Sequence, residues 1–162
     1  MTLPNYLFIF GAKYLFVLAG IIAVIWFWKL PNEKKKETVV FGIIALPLIY
    51  IVAKIGSGLY FNPRPFVVGH FTPLIPHDLD NGFPSDHVLL ISAIASVIFP
   101  FSKKVSTYIW IVAILVGISR VYVGIHHPID VIGSAVISIM ISTLVYEVLK
   151  RFCKKRTLIP AK

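Results

Sequence analysis

Charge is what this sequence has least of. Only 14% of its 162 residues are charged, and seven of them are acidic. A water-soluble domain of this size carries about a quarter charged residues, so an ordinary soluble fold is set aside. Cysteine is nearly absent too. The one present, Cys153, excludes an internal disulfide and any CxxC redox or zinc motif; it reads as a plain thiol in a basic tail. There is no HExxH, no internal repeat, no low-complexity tract and no segment that reads as a separate soluble domain. What fills the chain instead is apolar: 57% of residues are hydrophobic, and the mean hydropathy is +0.85. The length is that of a single domain, taken as 1–162.

Five apolar stretches read as long enough to cross a bilayer, which takes roughly 20 helical residues. They lie near 6–28, 38–58, 86–101, 106–125 and 129–149. Continuous apolar runs without strict alternation favour helices over a barrel. The expected fold is therefore all-α: a polytopic membrane helical bundle of about five spans with one outward-facing loop. The first run is too long for a signal peptide, lacks a basic leader and has no small-residue cleavage site after it, so it reads as a retained span. Pro47 marks an expected kink in the second.

The cations are not spread evenly. Lys29, Lys34, Lys35 and Lys36 lie in the first connection, Lys103 and Lys104 in the third, and Lys150, Arg151, Lys154, Lys155, Arg156 and Lys162 in the tail. With five spans, these twelve of sixteen Lys and Arg share one side. The positive-inside rule puts that side in the cytoplasm and the N-terminus outside. The net charge of +9 thus reads as membrane topology, and no nucleic-acid partner is expected. Four cations remain: Lys13, Lys54, Arg64 and Arg120. An arginine at membrane depth is costly without a partner.

Three polar stretches converge on the outer side. "KIGSGLYFNPRPF" (54–66) unwinds the second span and holds Arg64 between two prolines. "NGFPSDH" (81–87) is a turn leading into a helix that Ser85 or Asp86 could cap. "SRVYVGIHHPID" (119–130) sets His126 and Asp130 four apart, a spacing that stacks side chains on one helical face. Arginines hold phosphate oxygens in bidentate fashion, and helix N-termini add N–H donors. A histidine oriented by a carboxylate is basic enough to attack, and a second can protonate a leaving oxygen. Two histidines, a carboxylate, two arginines, a lysine and a helix N-terminus therefore suffice for phosphoryl transfer without a metal. A zinc reading of His87, His126 and Asp130 is possible in type, but adjacent arginines repel a cation. His70 and His77 read as plain loop residues. His127, beside His126, points elsewhere on a helix and stays ambiguous.

The three blocks resemble the signature of the type-2 phosphatidic acid phosphatase family, K-x6-R-P, P-S-G-H and S-R-x5-H-x3-D. The third block matches fully, at Ser119, Arg120, His126 and Asp130. The second matches except that Asp86 replaces glycine. The first keeps Arg64 and Pro65, but family spacing puts the lysine at Ser57, one turn beyond Lys54. The resemblance implies His126 as nucleophile, Asp130 as its orienting partner and His87 as general acid. Arg64, Ser85, Asp86 (through its backbone N–H), Ser119 and Arg120 would form the substrate site. Lys54 would stand in for the displaced lysine, with Ser57 as the alternative. "HDLDNGFPSDH" further resembles bacterial undecaprenyl-diphosphatases of the bacitracin-resistance type. That implies an isoprenoid or other lipid phosphate substrate, membrane lipid as surroundings and no cofactor. A broad lipid phosphate phosphatase, acting on phosphatidic acid or phosphatidylglycerol phosphate, and a non-catalytic lipid carrier are the competing expectations. Oligomeric state is left open.

Overall fold

A computed structural model of the chain describes residues 1–156. The side chains from Cys153 onward lie outside the described residues, and with them the tail thiol and the last four cations of the tail. Six helices follow in order: α1 (Leu3–Trp28), α2 (Asn32–Leu59), α3 (Pro65–Val68), α4 (Asp86–Ile98), α5 (Lys103–Tyr122) and α6 (Pro128–Arg156). Among the described residues the only β feature is one isolated bridge, Pro63 with Asn81.

Four of these helices, α1, α2, α5 and α6, are long and apolar enough to cross a membrane. Their outer faces carry large apolar side chains that no other described residue covers, such as Leu7, Ile21, Ile43, Ile51, Ile114 and Ile132. A surface of that kind is stable against lipid and not against water. The chain is a multi-pass membrane protein. α2 runs through Pro47 as a single helix.

α4 departs from the sequence expectation. It has 13 residues rather than a full span, and at 1.5 Å per residue it reaches about 20 Å, short of the roughly 30 Å hydrocarbon core. The reason lies in its burial. Val88, Ile91, Ala95 and Ile98 form one apolar core with Ala19 of α1 and Ile109, Val112 and Val116 of α5. Leu89 and Ala93 pack on Ile49 and Ala53 of α2. α4 is thus a central post surrounded by the chain itself, and it need not match the bilayer.

Small residues let α6 approach this post closely. Ser134 Oγ lies 3.0 Å from the Ser85 carbonyl, and Ser138 Oγ 3.4 Å from that of Leu89. This contact fixes where α4 begins relative to the first turn of α6. The connection from α2 to α4 is pinned with equal care. Asn81 accepts from the Asn62 and Phe83 backbone N–H groups at 2.9 and 3.0 Å and donates to the Ser57 and Tyr60 carbonyls, both at 2.9 Å. Farther along, Leu74 N–H donates to the Val123 carbonyl at 3.1 Å, and Ile75 is buried with Ala12, Val123 and Ile125. The loop is therefore laid across the end of the bundle.

Candidate active site

All three polar stretches meet at that end. The turn after α5 presents His126, 2% exposed, and the first turn of α6 presents Asp130, fully buried. His126 Nδ1 is 3.3 Å from Asp130 Oδ2. Its Nε2 is 3.2 Å from a guanidinium nitrogen of Arg120 and 3.5 Å from one of Arg64. Guanidinium only donates. Nε2 must therefore be the accepting nitrogen, and the proton sits on Nδ1, donated to Asp130. Burial, then the Arg120 and Arg64 charges, outweigh the opposing Asp130 bond and lower the imidazole pKa from its ordinary 6.5. The ring is held neutral with a lone pair on Nε2.

Asp130 is tightly held. Oδ1 accepts from Asn62 Nδ2 at 2.7 Å, and Oδ2 accepts from the His127 backbone N–H at 2.8 Å. Gly82 permits this packing, since a Cβ there would sit 3.0 Å from Asp130 Oδ2 and 3.1 Å from the Asn62 carbonyl. Gly124, with φ +82°, makes the turn that returns the chain to His126.

The arginines are fixed from behind. Arg64, 4% exposed, donates Nε–H to Asp80 at 2.7 Å and Nη1–H to the Ile125 carbonyl at 2.8 Å. That bond holds the Asp80 carboxyl below its usual range. Arg120 donates to the Ala12 carbonyl of α1 at 3.1 Å, and its Nε is buried without a partner. Ser85 is fully buried, and its hydroxyl likewise has no partner. Buried polar groups are ordinarily satisfied, so both groups are left open to a partner from outside the chain. Asp86 opens α4, its carboxylate exposed. The N–H groups of that first turn lack helical acceptors. His87, one residue on, is half-buried with its ring edge-on to Phe16, centroids 4.9 Å apart.

Residues 35–153 match the PAP2 superfamily. The chain belongs to that family. A protein named bacitracin transport permease protein BcrC, from Bacillus licheniformis, is 34% identical over 85% of this chain and 68% of its own length. One named undecaprenyl-diphosphatase BcrC, from Bacillus subtilis, is 33% identical over 81% of this chain and 68% of its own. The crystal structure of Aquifex aeolicus LpxE superposes with a TM-score of 0.65 at 24% identity, over 88% of this chain and 82% of that one, a likeness of fold.

Two residues of this PAP2 chain fall outside the cluster expected from sequence. Ser119 donates its hydroxyl to the Leu115 carbonyl, one turn back on α5, at 2.7 Å. It packs where Gly11 of α1 leaves no room for a Cβ, so it serves the α1–α5 seam rather than an anion. Lys54 is exposed, its ammonium 5.4 Å from the Tyr50 ring. It and Asp86 line the mouth of an apolar cavity of about 380 Å³ between α2 and α4. Ser57, at the family's lysine position, lies 3.2 Å from Asn81 Nδ2 and belongs to the loop anchor.

Sequence reasoning passed over Asn62, Asp80 and Asn81, read His77 as a plain loop residue and left His127 ambiguous. His127 proves to hold the Pro63 carbonyl, 3.1 Å from its Nε2, which ties the Arg64 segment to α6. The one available signal was polarity: these are polar residues near the motif blocks in a chain that is 57% hydrophobic. Among the described residues, no three His, Cys, Asp or Glu side chains form a metal-holding group.

Proposed function

We propose that this chain hydrolyses a lipid diphosphate, undecaprenyl diphosphate, to the lipid monophosphate and inorganic phosphate, through a phosphohistidine at His126. One observation carries the reading: an imidazole whose Nδ1 lies 3.3 Å from Asp130 Oδ2 while its Nε2 faces two guanidiniums. In this mechanism Nε2 attacks the terminal phosphorus in line. The bond to the bridging oxygen breaks, and His87 supplies the proton that the departing lipid phosphate takes. Water then attacks the phosphohistidine, gives its proton to His87 and frees phosphate. Arg64, Arg120, the Ser85 hydroxyl and the amide at Asp86 hold the phosphoryl oxygens as charge redistributes. Lys54 and Ser119 have no part in that cradle.

The isoprenoid tail has a natural path. α1 and α2 both pack on α4 and leave an apolar groove along it. Phe16, Gly20 and Leu90 line its outer part, and Trp26, Gly42 and Val97 a deeper cavity of about 690 Å³. The proposed setting is a bacterial cell membrane with the site on its outer face. The cations support this orientation, because the α1–α2 and α4–α5 turns and the end of α6 lie at the end of the bundle opposite the site.

The permease name of one relative raises a carrier as the rival. A carrier needs anion binding but no oriented imidazole, and the His126–Asp130 pair favours hydrolysis. The deciding test is phosphate release by the purified protein from undecaprenyl diphosphate and from phosphatidic acid, in EDTA. Release from the diphosphate that persists in chelator is expected, since two guanidiniums occupy the space a cation would need. Release mainly from phosphatidic acid would overturn the substrate. Release from neither would favour the carrier.

Two further results are expected. The acid limb of kcat/KM should lie below pH 6.5. The reactive form of His126 is neutral and its pKa is lowered, so the active fraction survives acidification past 6.5 and falls only beneath the lowered value. A limb above 6.5 would contradict the electrostatics of the site. Asn62→Ala removes the 2.7 Å donor to Asp130. Because a hydrogen bond to a charged group contributes about 1.5–3 kcal/mol, kcat should fall by about one to two orders of magnitude. Unchanged kcat would show that Asn62 does not position the pair.

A further inference from the structure

We propose that His77 is a third histidine of the substrate site, donating from Nδ1 to the phosphate that stays on the lipid and so favouring diphosphates over monophosphates. This rests on the phosphohydrolase reading above and adds a recognition element to it.

His77 lies on the outer loop, three residues past the Leu74–Val123 hydrogen bond and two past buried Ile75. Those anchors fasten it to the same turn that carries His126. Its ring sits 6.3 Å from the His126 ring with planes at 75°. Its Nδ1 is buried and has no hydrogen-bond partner. The nearest carboxylate oxygen, Asp80 Oδ1, is 3.9 Å away, beyond hydrogen-bond reach, and is engaged by Arg64 Nε. A buried ring nitrogen left unpartnered costs stability unless a ligand atom meets it. Burial, then Arg64 and Arg120, lower the pKa of this ring; an anion between them reverses the last two influences.

The phosphate that His77 would meet follows from how the other donors are placed. The phosphoryl group at His126 Nε2 already has Arg64, Arg120, the Ser85 hydroxyl and the amide at Asp86. Arg120 comes from α5, Ser85 and Asp86 open α4, and Arg64 stands just before α3 on the outer loop. His77 lies thirteen residues past Arg64 on that loop, and its Nδ1 is engaged by none of those groups. In a diphosphate the second phosphate is one bridging oxygen from the first, and a monophosphate has nothing to offer at that place.

The test uses the full chain in detergent with farnesyl diphosphate and farnesyl phosphate, which differ only in the second phosphate. kcat/KM is measured for both substrates with wild type, His77→Asn and His77→Gln. The ratio of diphosphate to monophosphate efficiency is expected to fall about tenfold or more in both variants, the scale of one hydrogen bond to a charged group. An equal loss on both substrates would reduce His77 to a structural role, and an unchanged ratio would likewise overturn the proposal. Wild type that releases phosphate from neither substrate would sink the phosphohydrolase reading itself, and His77's role with it. If the variants do not fold, inhibition of wild type decides: methylenediphosphonate should inhibit at least about tenfold more strongly than phosphate, and equal inhibition refutes the idea.

Discussion

His126→Ala is expected to take phosphate release down by at least about four orders of magnitude, with the protein still folded in detergent. The size of the effect follows from what the ring does. In a phosphohistidine mechanism Nε2 forms the covalent bond, and no neighbour can replace it. His77, the other histidine at 6.3 Å, lacks the carboxylate bond that orients His126. The fold should survive because His126 holds no helix together: its three side-chain partners, Asp130, Arg64 and Arg120, each have other bonds. A rapid quench of wild type with a labelled terminal phosphate should show acid-labile label on protein, absent from the variant. Substantial turnover by His126→Ala would move the nucleophile elsewhere. His87 would then be the first alternative, although no carboxylate orients it.

His87→Ala is the second large loss, about two to four orders of magnitude, the range for removal of a general acid. This assignment has a sharper test than loss of activity. A general acid matters in proportion to how badly the leaving group needs a proton. With a lipid alcohol leaving from a monophosphate the deficit should be greatest. With p-nitrophenyl phosphate, whose leaving group departs as an anion, the first step should be largely rescued and phosphoenzyme should accumulate. The ring is held by packing against Phe16 and sits in the first turn of α4, beside the amides proposed to bind the phosphoryl oxygens. The same deficit on every leaving group would assign His87 to binding rather than to proton transfer.

The legible part of the site was what backbone spacing alone determines. His126 and Asp130 are four apart, and the structure joins them at 3.3 Å. Arg64 and Arg120 were flagged as costly near a membrane unless partnered, and their partners are now visible: an aspartate, two backbone carbonyls and an imidazole. Span lengths followed from hydropathy for α1, α2, α5 and α6. α4 misled, because hydropathy cannot distinguish an apolar helix that faces lipid from one that faces other helices. Ser119 misled for a related reason. Its place in a motif does not say which side of α5 it occupies, and it turns to α1. The groups that sequence reasoning passed over act across long separations. Asn62 reaches Asp130 over 68 positions, and His127 reaches Pro63 over 64. Such pairs follow from the way the helices assemble, which single-sequence patterns do not encode.

That bond between Asn62 and Asp130 also orders the protein's birth. Helices enter a membrane as the ribosome delivers them, and α6 comes last. Arg64, His87 and Arg120 have been synthesised when α5 is complete, yet the Ile125 carbonyl that holds Arg64 follows α5, and the carboxylate beside the imidazole arrives only with the first turn of α6. Ser134 and Ser138 of the same helix are what meet the carbonyls of Ser85 and Leu89. A chain arrested after α5 therefore carries Arg64 and Arg120 but neither His126 nor Asp130, and under the proposed mechanism a prematurely terminated product is expected to be inert. Activity in the membrane would then report that synthesis has passed the first turn of α6.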